Sequence, residues 1–151
     1  MKNVSTLQSH IGFWMRLVSN NVSQAFAAKL DETGVTVAEW VVMREMYGEA
    51  GITTPSQVAE LTHLTRGAVS KLLERLLQKG LITRTESKED RRYQDIQLTT
   101  AGRKLVPQLA ALADQNDKEF FSSISASERA QLMKLLKKLA EARGLRSYPI
   151  E

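Results

Sequence analysis

Apolar residues recur along most of the chain at intervals of three and four, the spacing that gathers them on one face of a helix. From Leu7 the positions Ile11, Trp14, Val18, Val22 and Phe26 repeat in this way, so residues 5 to 30 read as one long amphipathic helix, with Gly34 after its end. A second helix from Val35 to Tyr47 carries Trp40, Met43 and Met46 and stops at Gly48. Residues 48 to 53 contain two glycines and read as a loop. A short third helix spans Pro55 to Thr62. The fourth starts near Thr65, with Val69, Leu72, Leu73 and Leu76 as its apolar stripe, and Lys79-Gly80 ends it. Then the period changes. Residues 81 to 85 and 94 to 98 are short and β-branched or alternating, and they enclose the polar stretch Glu86 to Arg92, which predicts a hairpin with a charged tip. Thr99 or Thr100 caps a fifth helix through Leu105, Leu109, Leu112 and Phe120. A sixth runs from Ala126 to about Arg143 with Leu132, Leu135, Leu136 and Leu139. Pro107 fits the fifth helix poorly, because proline removes a backbone hydrogen bond: the helix either bends there or begins later.

Helix starts carry a second, independent signal. Thr36 with Glu39, Thr54 with Gln57, Ser125 with Glu128 and, more weakly, Ser5 with Gln8 place a hydroxyl three residues before Glu or Gln, the arrangement that satisfies the free amides of a first turn. Pro55 also occupies the favoured first helical position.

Composition narrows the possibilities. The chain has 151 residues, 42% hydrophobic and 25% charged, which suits one compact unit or a core flanked by helices that need a partner. It has no cysteine, which excludes disulfides, thiolate metal sites, a cysteine nucleophile and a thiol redox switch. Its two histidines, His10 and His63, are too few for a transition-metal sensor, so neither a metal site nor a cofactor is expected. No apolar run approaches the roughly 18 residues of a membrane span, and the start of the chain lacks a signal-peptide core, so the protein is expected in the cytoplasm. The net charge of +4 says little until it is located. Residues 54 to 104 hold ten Lys and Arg against six Asp and Glu, and the remainder balances at eleven of each.

The same window holds the candidate chemistry. The helix from Pro55, a turn at about His63-Leu64 and the helix from Thr65 make a helix-turn-helix, whose second helix can present its first residues to base edges in the major groove. The hairpin that follows supplies a wing. Thr65, Arg66, Ser70 and Lys71 offer hydroxyls and cations to bases or phosphates, and Gly67 permits close approach to the backbone. Thr54, Ser56 and Gln57 at the start of the third helix, and Arg75 along the fourth, complete the helical candidates for DNA contact. At the hairpin, Lys88, Asp90, Arg91 and Arg92 join them: a carboxylate beside two arginines can hold one guanidinium in a fixed direction, toward a narrow minor groove. The plainer alternative is that these are ordinary solvated residues of a helix and a charged turn.

The order Lys79-Gly80-Leu81-Ile82-Thr83-Arg84, then Asp90-Arg91-Arg92, then Ile96-Gln97-Leu98-Thr99-Thr100-Ala101-Gly102 resembles the MarR-family signature, K-G-L-I-x-R, D-R-R and I-x-L-T-x-x-G. The likeness extends to Thr36-Val37-Ala38-Glu39-Trp40-Val41-Val42-Met43 in the second helix and to Ser125-Ala126-Ser127-Glu128 at the start of the last. The resemblance implies a mainly α fold with a small β-hairpin wing: a winged helix-turn-helix core with long N- and C-terminal dimerisation helices. In residues, 1–34 and 101–151 would dimerise and 35–100 would form the DNA-binding lobe. It also implies a homodimer on double-stranded DNA with a pseudo-palindromic operator, the helix from Thr65 in the major groove and Asp90 and Arg92 acting at the wing. The apolar stripes of the terminal helices, which have no evident partner in so small a core, agree.

Members of this family commonly release DNA when a small anionic or aromatic molecule, often phenolic, enters a cleft beside the dimerisation helices. Trp40 matches a frequent tryptophan position there. With His10, Trp14, Arg16, Met43 and Arg44 it would supply aromatic walls and cationic donors, although helical spacing equally makes the tryptophans core residues. The expected function is thus a transcriptional repressor relieved by a ligand. The alternative is a constitutive architectural DNA binder or a winged-helix protein-interaction module. An enzyme is not expected, since the sequence has no phosphate-cradling glycine loop and no histidine in a serine and carboxylate arrangement.

Overall fold

The computed structural model describes residues 2–48, 53–88 and 94–151. Its elements are α1 (Ile11–Leu30), α2 (Val37–Gly48), α3 (Pro55–Thr62), α4 (Arg66–Gln78), β1 (Ile82–Glu86), β2 (Gln94–Leu98), α5 (Thr100–Phe120) and α6 (Ala126–Ala142). The architecture is mainly helical with one two-stranded antiparallel hairpin, in the expected order.

Three of the four caps form as read. Thr36 accepts from the Glu39 amide at 3.2 Å while the Glu39 carboxylate accepts from the Thr36 amide at 3.0 Å. Thr54 with Gln57 and Ser125 with Glu128 close the same reciprocal pairs. The fourth does not form, and the first helix is shorter than expected. A single 3-10 turn spans Leu7–Ser9, His10 is extended, and α1 begins only at Ile11. Competing local bonds explain the break: the Ser9 hydroxyl donates to the Thr6 carbonyl at 2.7 Å and the Trp14 indole N–H donates to the Gln8 carbonyl at 2.9 Å. In α5, by contrast, Pro107 does not delay the start. Thr99 caps the helix by accepting from the Gly102 amide, and the helix runs from Thr100 through Pro107. The parts of the 48–53 loop from Glu49 to Ile52 lie outside the described residues.

The core lies where α2, α3, α4, the hairpin and the first half of α5 meet. Val42, Met43 and Met46 of α2 pack with Val58 of α3, Val69, Leu72, Leu73 and Leu76 of α4, Ile82, Ile96 and Leu98 of the strands, and Val106 and Leu109 of α5. Helix α1 packs along α5 and adds Leu30. No residue of α6 is buried.

A polar contact at the edge of this core joins a buried carboxylate to a half-exposed ammonium. Glu39 is 1% exposed, and its carboxylate accepts from Lys79 at 2.7 Å; the same ammonium donates to the Gly34 carbonyl at 2.7 Å. The end of α4 is thereby tied to the start of α2 and to the turn before it.

Beyond Lys79 the chain reverses by a tight hydrogen-bonded stop. Gly80 has φ of 70°, its amide donates to the Leu77 carbonyl, and the Leu81 amide donates to the Leu76 carbonyl. Thr99 then seats α5 on this stop: its amide donates to the Leu81 carbonyl at 3.0 Å and its hydroxyl to the Gly80 carbonyl at 2.9 Å. The approach is so close that a Cβ at Gly102 would collide with the Leu81 carbonyl oxygen and sit 3.2 Å from Leu98 Cδ2. Gly102→Ala is therefore expected to destabilise the protein by about 1–3 kcal/mol, read as a lower urea midpoint with an unchanged slope. An unchanged midpoint would show that this junction yields without cost.

Candidate nucleic-acid interface

Burial of one side of α4 decides which side faces out. Val69, Leu72, Leu73 and Leu76 are in the core, so Arg66, Ser70 and Glu74 form one exposed row at i, i+4 spacing, with Gly67, Lys71 and Arg75 beside it. Thr65 precedes them as the cap, accepting from the Ala68 amide at 3.1 Å. The turn before it is shaped by His63 in the left-handed region (φ 53°) and by Thr62, whose buried hydroxyl donates to the Val58 carbonyl at 2.7 Å and accepts from the Leu64 amide at 3.3 Å. The candidates on α4 thus share one convex, solvent-facing surface carrying Arg66, Lys71 and Arg75.

The start of α3 is more tightly engaged. Gln57 Oε1 accepts from the Thr54 amide and the Thr53 hydroxyl, each at 2.9 Å, and the Thr54 hydroxyl accepts from the Gln57 amide. Thr54 and Gln57 therefore build the cap, while Ser56 stands exposed beside them.

The hairpin is rooted on both sides. Strand β2 pairs with β1 from Ile82 opposite Leu98 to Glu86 opposite Gln94. On its other edge, Thr53 and Ile96 exchange backbone bonds of 3.0 and 2.8 Å, which ties the base of the wing to the residue before α3's cap. Arg84 of β1 reaches Glu74 of α4 at 3.6 Å, an exposed pair of small energetic worth that still links wing and helix. Lys88 is exposed just beyond β1. Asp90, Arg91 and Arg92 lie outside the described residues.

A separate cleft of about 510 Å³ opens between α1, α2, the C-terminal half of α5 and the end of the chain. Of the residues expected to line a ligand site, it gathers Trp40, together with Phe26, Val37, Asn116, Asp117 and Glu151. Met43 is instead sealed in the core at 0% exposure. His10, Trp14 and Arg16 stand at the start of α1: Trp14 is 49% exposed and meets Phe13 edge to face at 5.3 Å, while His10 Nδ1 is 3.3 Å from the Leu7 carbonyl. Arg16 and Arg44 are exposed and do not line the cleft.

The lining residues that the sequence reading missed come from far along the chain. Asn116 carried a signal, since it continues the stripe Leu105, Leu109, Leu112 as a polar interruption, and it is 3% exposed. Its amide donates to the Val22 carbonyl at 3.3 Å and its carbonyl accepts from Lys29 at 3.2 Å. Lys29 also pairs with Glu119 at 3.0 Å. The Gln115 amide and this ammonium, both bonded to Glu119, hold its carboxyl below the usual value. The end of the chain had no periodic signal, yet the Tyr148 amide donates to the Thr62 carbonyl at 2.9 Å and the chain beyond it reaches the cleft. Among the described residues no group of three or more His, Asp or Glu is placed to hold a metal ion, and no helix is long and apolar enough to cross a membrane.

Comparison with known proteins bears on this surface. The model of the MarR family matches residues 33–92, which span α2, the helix-turn-helix and the first strand of the wing. The chain is 27% identical over 142 residues to the HTH-type transcriptional repressor MdtR of Bacillus subtilis, covering 94% of this chain and 91% of that one. It is 30% identical over 107 residues to the transcriptional regulator HosA of Escherichia coli, covering 70% and 77%. Among solved structures, a variant of MarR from Escherichia coli in complex with operator DNA superposes with a TM-score of 0.78 at 25% identity, covering 90% of this chain and 99% of that one. The chain belongs to the MarR family of winged-helix transcriptional regulators.

Proposed function

We propose that this chain acts in the cytoplasm as a homodimeric, sequence-specific repressor on double-stranded DNA, and that a small aromatic molecule in the cleft beside Trp40 lowers its DNA affinity. The observation that carries the DNA reading is the exposed face of α4, with Arg66, Ser70, Lys71 and Arg75 presented by a helix whose other side is locked in the core. Residues 35–100 are the DNA-binding lobe. Thr65, Arg66 and Gly67 approach the bases, Ser70, Lys71 and Arg75 the bases or phosphates, and the wing with Lys88, Asp90, Arg91 and Arg92 lies along the minor groove. Thr54, Ser56 and Gln57 face the phosphate backbone beside the α3 cap. No catalytic step is assigned to any of these residues.

Uncovered apolar surface supports the dimer. Leu132, Met133, Leu135, Leu136 and Leu139 of α6 are exposed, as are Ile11, Trp14, Met15 and Val18 of α1. A second copy that covers both stripes, with 1–34 and 101–151 as the joining segments, removes this surface from water. Two recognition helices held about 34 Å apart then meet successive major grooves of a pseudo-palindromic operator. A ligand that prefers another spacing by about 2–3 kcal/mol weakens DNA binding by roughly 30- to 150-fold.

The test is equilibrium binding to DNA fragments that the protein itself selects from a random-sequence pool. Selective binding that falls steeply with salt is expected. Lys71→Ala should reduce the salt slope by about one, and Arg92→Ala should cost about 1–3 kcal/mol, with the dimer intact. Absence of binding even at low salt would remove the DNA reading, and equal affinity for all fragments would make the protein an architectural binder. In sedimentation equilibrium, the unaltered chain should be a dimer and Leu136→Glu a folded monomer. A monomeric unaltered chain would overturn the assigned assembly.

A further inference from the structure

The cleft beside Trp40 has an electrostatic sign opposite to that expected for an acidic effector. Phe26, Val37 and Trp40 form its apolar wall, and Asn116, Asp117 and Glu151 supply charged and polar atoms. Among the described residues of this chain no lysine or arginine lines it. Lys29 comes near enough to bond Asn116, and its charge is balanced by the Glu119 carboxylate at 3.0 Å. One N–H of the Asn116 amide donates to the Val22 carbonyl. An aromatic anion entering this cleft would leave water and meet two carboxylates of its own sign. An aromatic cation would find those carboxylates and the indole of Trp40, a ring type whose face attracts positive charge.

Resting on the reading of this cleft as the effector site, we propose that its ligand is an aromatic organic cation: an amine or quaternary ammonium carried on one or two fused rings. The rings lie against Trp40, Phe26 and Val37, and the cationic head lies between Asp117 and Glu151. The geometry also gives the ligand a path to the helix-turn-helix. Glu151 belongs to the terminal segment whose Tyr148 amide is bonded to the carbonyl of Thr62, the last residue of α3. A head group that draws Glu151 inward pulls on the segment that holds the turn before the recognition helix.

Isothermal titration of the full-length protein without DNA, at pH 7 and low salt, tests this with two probes that share a ring and differ in charge. These are 1-naphthylmethylammonium and 1-naphthoate. The cation should bind saturably, one per chain, at least about tenfold more tightly than the anion. Asp117→Asn and Glu151→Gln should each weaken cation binding by roughly three- to tenfold while leaving the urea midpoint unchanged. Both carboxylates are exposed, so these isosteric changes keep the fold. Naphthoate binding as tightly as the cation, no binding of either probe, or cation binding indifferent to both substitutions would each overturn the proposal. DNA affinity measured separately distinguishes the two readings. A cation that binds the cleft without changing DNA affinity would contradict the effector role of the cleft and leave its chemical preference standing. Release of DNA by naphthoate bound at the cleft would do the reverse.

Discussion

The recognition helix is held in place by a charge that lies inside the protein. Glu39 sits in the first turn of α2 at 1% exposure, and its carboxylate accepts from the Thr36 amide and from Lys79 in the cap of α4, which also reaches the Gly34 carbonyl. Each partner is also favourably placed on its own helix, the carboxylate at an N-terminus and the ammonium at a C-terminus. The pair is only half-buried, since the Lys79 side chain is 37% exposed, and even a fully buried ion pair is not in general more stabilising than well-packed apolar side chains. What this one supplies is direction: three segments meet at one ammonium group, so the end of α4 cannot slide along α2 without stranding a carboxylate away from water. The outer face of α4 inherits that orientation.

The wing depends on the same point. Lys79 is followed at once by the left-handed Gly80, and the carbonyls of Gly80 and Leu81 receive the hydroxyl and amide of Thr99. Gly102 lets α5 approach the Leu81 carbonyl closer than any side chain would permit. Four of the residues by which the sequence resembles its family are thus explained by geometry. Lys79 ties, Gly80 turns, Thr99 caps and bonds across, and Gly102 stays small. These four positions couple α2, α4, the hairpin and α5 into one body on which the residues proposed to contact DNA are mounted.

How much of this was legible in the sequence follows the range of the interactions. Local chemistry was readable: the Thr54 and Gln57 cap, the Ser125 and Glu128 cap, and the glycine stop after α4 all form as their spacing implies. Where local bonds competed, the reading failed, as at Ser9 and Trp14, which cut the first helix back to Ile11. Periodicity found the buried face of α4 and so the exposed one, but it could not separate a core residue from a cleft residue. Met43 and Trp40 lie on one helix; Met43 fills the core and Trp40 lines the cleft. The partners of Trp40 come from α5 and from the end of the chain, and no pattern in the sequence joins them. Glu39 and Lys79, forty positions apart, were each legible only as helix punctuation.

The bond between those two residues is the claim on which the account turns, and a double-mutant cycle measures it most directly. Urea unfolding of Glu39→Ala, Lys79→Met and the double variant isolates their coupling, because the loss of the Thr36 cap bond is common to both variants lacking Glu39. The expected coupling is about 2 kcal/mol, with each single variant much less stable than the unaltered chain and the double variant recovering part of the loss. Losses that simply add, within about 0.5 kcal/mol, would show that the recognition helix is held by apolar packing alone.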